Sequence, residues 1–99
     1  MRNLARIVEE SNYWEYEEGH SKEKVIENLK KMERLSPQTL EYWMLRGFVL
    51  YSLAENALEL FERGKNTEGM YARKVSRDLY IEILKNEADV GIGIRNPFI

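Results

Sequence analysis

The side chains able to do chemistry are few. The only histidine, His20, lies in the stretch SNYWEYEEGH (residues 11–20) beside three aromatics and three glutamates. Glu17 and His20 stand three apart, and a carboxylate and an imidazole at that spacing can ligate a transition metal when both project from one face of a helix. A cationic set follows in residues 63–77, where Arg63, Lys65, Arg73, Lys74 and Arg77 oppose only Glu68. Arg73 and Arg77 are one helical turn apart with Lys74 adjacent, the pattern of a phosphate-facing stripe. A third set is apolar and suits recognition: Tyr13, Trp14 and Tyr16, and Val90, Ile92, Ile94, Phe98 and Ile99 at the C-terminus.

Several chemistries are removed. The chain has no cysteine, so disulfides, thiolate nucleophiles and cysteine zinc sites are excluded. A single histidine restricts any histidine-based triad, and there is no Gly-x-Ser-x-Gly, Walker or dinucleotide loop; Gly91-Ile92-Gly93 lacks the strand-to-helix context such loops need. The Glu17-to-His20 spacing resembles that of carboxylate-bridged di-iron bundles, in which the motif sits inside a helix and occurs twice. Here Gly19 is expected to end the helix, and one histidine would supply two motifs only in a symmetric dimer with further acids such as Glu59 or Glu62. The Glu-Glu-x-x-Glu motif of all-helical nucleotide pyrophosphatases is broken at Tyr13 after Glu9-Glu10 and at Ser21 after Glu17-Glu18. No cofactor is therefore expected, and a non-enzymatic protein is favoured.

The elements that carry these residues read as helices. At 99 residues, 43% hydrophobic and 32% charged with a net charge of -2, the chain suits one small domain with a real core. Asn3 caps a first helix over residues 4–18, with Leu4, Ile7, Val8, Ser11 and Trp14 in phase. Ser21 caps a second over 22–35, carrying Val25, Ile26, Leu29 and Met32 inward. Ser36-Pro37 starts a third.

Within that third segment Gly47, Tyr51, Ala57 and Phe61 faintly resemble a tetratricopeptide helix pair. However, Leu40, Met44, Gly47, Tyr51, Ala54, Leu58 and Phe61 keep one unbroken three-and-four rhythm through the supposed turn. One long helix over residues 37–63 is expected instead, closed by Gly64, with Trp43, Leu50 and Ala57 widening its packed face. A fourth helix, capped by Thr67 and reaching about residue 86, should turn Ala72, Val75, Leu79 and Ile83 inward with Tyr71, Tyr80 and Leu84 beside them. VGIGIRNPFI then alternates with period two, the pattern of an extended arm whose apolar side chains need burial, by folding back into the bundle's own groove, on a second copy or on a different partner.

The expected fold is thus all-α: a four-helix bundle-like domain over residues 1–89, with one long central helix and an extended C-terminal arm over 90–99. The leading functional expectation is a protein-interaction or assembly module, with a second copy as its partner, hence a homodimer, or else another protein. A nucleic-acid accessory role through Arg73, Lys74 and Arg77 is the second reading, disfavoured by a pI near 5.5. A metal-dependent enzyme using Glu17 and His20 is the third. The N-terminus lacks an apolar signal core and no membrane-length apolar run occurs, so a cytoplasmic protein is expected. Glutamate outnumbers aspartate fifteen to two, a bias towards thermostable proteins that seven asparagines oppose.

Overall fold

The computed structural model describes residues 3–17 and 19–90, and within them the chain forms four helices: α1 (Leu4–Glu9), α2 (Lys22–Arg34), α3 (Leu40–Glu62) and α4 (Asn66–Asp89). α3 and α4 form an antiparallel hairpin. α2 packs on α3, and α1 lies between α2 and α4. The core joins Leu4, Ala5 and Val8 of α1 to Val25, Leu29 and Met32 of α2, Tyr42, Val49 and Leu53 of α3, and Leu79 and Ile83 of α4. The all-α, bundle-like expectation holds. The arm over residues 91–99, including Ile92, Ile94, Phe98 and Ile99, lies outside the described residues.

Local chemistry explains most boundaries. Asn3 and Ser21 cap α1 and α2 by accepting from the backbone N–H of Arg6 and Lys24. α3 runs unbroken through the stretch that resembled a two-helix repeat, and it ends at Gly64, whose φ of 75° favours glycine. There the Lys65 N–H bonds the Leu60 carbonyl and the Gly64 N–H bonds that of Phe61, so two otherwise orphaned acceptors are satisfied. The hairpin closes tightly next to this turn. A Cβ on Gly69 would stand 2.9 Å from the Phe61 ring, so glycine is what lets α4 approach α3.

Four expectations are corrected. α1 stops at Glu9 rather than near residue 18, because the Ser11 hydroxyl and N–H both turn back to the Val8 carbonyl, and Tyr13 adopts a left-handed φ of 66°. α3 begins at Leu40 rather than Pro37: the Ser36 carbonyl accepts from Thr39, and the Thr39 hydroxyl caps the Tyr42 N–H. α4 starts one residue before Thr67 and runs to Asp89, with 24 residues against 23 in α3, so α3 is not the longest helix.

The fourth correction concerns facing. The three-and-four stripe of α3 points away from the core, leaving Leu40 77%, Met44 67%, Tyr51 53% and Leu58 47% exposed. The buried face is instead Tyr42, Val49, Ser52, Leu53, Asn56, Ala57 and Leu60. Sequence periodicity alone could not choose between them, because α3 is apolar on both sides.

Candidate interaction surface

The SNYWEYEEGH segment is an ordered strap laid against the inner side of α3. Asn56, buried on α3, accepts at Oδ1 from the backbone N–H of Glu15 (2.6 Å) and Tyr16 (3.2 Å) and donates from Nδ2 to the Tyr13 carbonyl (3.1 Å). One amide side chain thereby satisfies three backbone groups of a segment with no regular ladder of its own. The Trp14 indole N–H bonds the carbonyls of Tyr16 and His20, folding the strap on itself while its ring packs on the core. Lys22 donates to the Ser11 carbonyl at 2.6 Å and closes the strap's base.

His20 is built into this strap. Its Nδ1 lies 2.6 Å from Ser52 Oγ, which itself donates to the Phe48 carbonyl at 2.7 Å. The Ser52 hydroxyl thus bridges the His20 imidazole and the Phe48 carbonyl. The imidazole stacks on Phe48 with centroids 4.5 Å apart and is flanked by Tyr16 and Tyr51. Glu17 meets His20 through the backbone, its carbonyl accepting the His20 N–H in a turn rather than along a helix. Among the described residues no cluster of three or more histidine or acidic side chains is placed to hold a metal ion.

The acids and bases of the strap neutralise one another. Glu15 binds Lys65 and, at 3.0 Å, Arg63. The Lys65 bond, reinforced by the fields of Lys65 and Arg63, holds the Glu15 carboxyl below its ordinary range. Two of the five cations expected to form a basic surface are therefore occupied by the strap.

A second polar cluster joins the other end of the hairpin. Glu87 of α4 is fully buried; it accepts from Tyr42 Oη at 2.7 Å and from Arg46 at 2.7 Å (Nε) and 3.2 Å (Nη2). Burial raises the Tyr42 phenol well above its ordinary range, and the adjacent Glu87 charge pushes it further. Burial on its own works against the Arg46 charge, and the bond and field of Glu87 outweigh it. The Arg46 guanidinium also lies 4.4 Å from the Trp43 ring centre and 5.8 Å from that of Tyr80. Sequence reasoning missed this cluster. Its only signal was a glutamate in phase with Leu79 and Ile83 on the inner side of α4.

Among the described residues, the outward face of α3 carries a run of exposed apolar side chains, of which Tyr51 also meets His20 and Tyr16 of the strap. Leu40, Met44, Gly47, Tyr51, Ala54 and Leu58 run along it, with Trp43 at 40% exposure on one flank and Glu41 and Glu55 on the other. A Cβ on Gly47 would meet nothing within 4 Å, so among the described residues no contact requires glycine there. An exposed mid-helix glycine costs about 1 kcal/mol relative to alanine. Phe61, the next position in the stripe, folds over Gly69 instead.

The remaining candidates are dispersed. Tyr13 is half exposed and edge-on to Tyr71, Tyr16 is half buried beside His20, and Val90 is exposed at the end of α4. Arg73, Lys74 and Arg77 do line one shallow hollow of about 300 Å³ with Met70, but Lys74 and Arg77 share Asp78 at 2.8 and 3.9 Å. An open groove of about 720 Å³ runs between α1 and α4, rimmed by Glu10, Lys74, Asp78, Glu82 and Lys85. No nucleophile and base converge in it. Among the described residues no helix is long and apolar enough to cross a membrane.

No family model matches the chain, and comparison with curated proteins and with solved structures gives no significant match.

Proposed function

We propose that the protein is a non-enzymatic interaction or assembly module that acts through the outward face of α3 and, as a second element, the apolar sequence at its C-terminus (Val90, Ile92, Ile94, Phe98 and Ile99). The observation that carries this reading is the two-sided apolarity of α3. α3 carries apolar residues on two opposite sides separated by charged flanks, and among the described residues only one of those sides is packed into an interior. The strap and the Glu87 cluster fit the same reading, since both lock α3 in place and leave its outer face rigid and ready to bind.

Methionine oxidation tests it with internal references. Met32 is buried, whereas Met44 on the outward face is more exposed than Met70 on α4 (67% against 53%). In cells making the protein, an engaged α3 face predicts that Met44 oxidises several-fold more slowly than Met70. Equal rates, or faster oxidation of Met44, would refute the reading.

A further inference from the structure

The occupant of this face is best identified by the sizes of the residues along it. From Leu40 to Leu58 the stripe reads large, large, small, large, small, large: Leu40, Met44, Gly47, Tyr51, Ala54, Leu58. Reversed on itself about the level of Val49, it sets Leu40 against Leu58, Met44 against Ala54 and Gly47 against Tyr51. Two of the three layers, Met44 with Ala54 and Gly47 with Tyr51, then have complementary volumes, while Leu40 meets Leu58 at the ends; Tyr51, whose ring centre also lies 5.7 Å from that of His20 within its own chain, faces the bare backbone at Gly47. A parallel, in-register copy would instead place Gly47 on Gly47 and Ala54 on Ala54, leaving gaps, and crowd Met44 and Tyr51 against themselves. We infer that α3 pairs with α3 of a second copy of this chain in an antiparallel, two-fold seam, an inference that rests on the interaction reading above.

Area and spacing support this occupant. The exposed parts of the six stripe residues and Trp43 amount to on the order of 600 Å² per copy, so a pair that covered them completely would bury at most roughly 1,200 Å², the lower end of a stable interface. Successive layers of an alternating three-and-four stripe are about 5 Å apart, which a second helix matches at a crossing of about 20°. An extended segment would repeat its side chains every ~6.6 Å and fall out of step after two layers. The antiparallel pair also brings Glu41 of each copy towards Glu55 of the other. Added salt screens that repulsion and should therefore tighten association, opposite to its effect on binding through a basic stripe.

Because the chain has no cysteine, single-cysteine variants report geometry cleanly. Full-length Met44→Cys and Ala54→Cys chains are mixed and mildly oxidised, alongside light-scattering mass measurements of the unmodified chain across concentration. The expected result is a reversible dimer with a dissociation constant on the order of micromolar, tightened by salt, and a disulfide formed between Met44→Cys and Ala54→Cys chains in preference to either with itself. Gly47→Ala should weaken the dimer by about tenfold while raising the melting temperature of the dilute monomer, because the methyl displaces the facing ring but favours the helix. Efficient self-crosslinking of each variant would overturn the antiparallel seam. A monomer at all concentrations would overturn the second copy as occupant, and so would a chain that dimerises only after Ile92→Ser and Ile94→Ser, since the arm would then be what covers the face. Slow oxidation of Met44 in cells alongside a monomeric mass would leave the interaction reading standing while this inference falls.

Discussion

Replacing Arg46 by methionine isolates what holds the buried end of the helical hairpin. The substitution keeps most of the alkyl stem but removes both hydrogen bonds to Glu87 (2.7 and 3.2 Å), leaving a fully buried carboxylate with the Tyr42 hydroxyl as its remaining named donor. Breaking a buried ion pair from one side costs about 3–5 kcal/mol. The lost contacts with Trp43 and Tyr80 add only about 0.5–1 kcal/mol, so the stranded charge dominates. A domain of this length has total stability of roughly 5–15 kcal/mol, and the melting temperature should fall by about 12–40 °C. Urea titration followed by circular dichroism measures the loss. The double variant Arg46→Met with Glu87→Leu should recover at least half of it, since the charge is gone and apolar groups fill the site. If Arg46→Met costs under 1 kcal/mol, or the double variant is no better than the single, Glu87 is not a buried partner of Arg46 and the hairpin has been misread.

Asn56→Ala removes three hydrogen bonds to the strap and should cost about 2–3 kcal/mol, with amide exchange accelerating first at Glu15 and Tyr16; unchanged exchange there would show that the strap is held by other contacts. Gly69→Ala gains about 1 kcal/mol of helix propensity but drives a methyl into the Phe61 ring, so a net loss of about 1 kcal/mol is expected, relieved by Phe61→Leu. Tyr42 gives a pH test. Its phenol is raised in the fold and ionises near pH 10 when unfolded, so its contribution is complete below about pH 10 and is lost as the pH rises further. Tyr42→Phe should therefore be less stable at neutral pH yet decline less steeply in alkali, as read from urea midpoints between pH 7 and 11.

Caps and breakers act over a few residues, and these were legible from sequence. Asn3, Ser21 and Gly64 mark helix ends where expected, and the inward stripes of α2 and α4 were read correctly at Val25, Leu29, Met32, Ala72, Leu79 and Ile83. The strap was not legible. Residues 11 and 14 keep helical spacing with Leu4, Ile7 and Val8, and the non-helical path is supported by partners distant in sequence, above all Asn56, some forty residues away, which satisfies its backbone. The Tyr42–Arg46–Glu87 cluster was hidden for the same reason: its members meet only because α3 and α4 run antiparallel.

The sequence by itself determined that the fold is all-α, that the third segment is a single uninterrupted helix (expected over residues 37–63, observed over Leu40–Glu62), and that cysteine chemistry is absent. Which side of that helix faces the core was decided by tertiary structure alone. Both sides carry enough apolar surface to be buried, so hydrophobic periodicity leaves them nearly degenerate. Specific polar contacts break the tie: Asn56 and Ser52 reach the strap and Tyr42 reaches Glu87 only when the other stripe, Leu40 to Leu58, is turned outward.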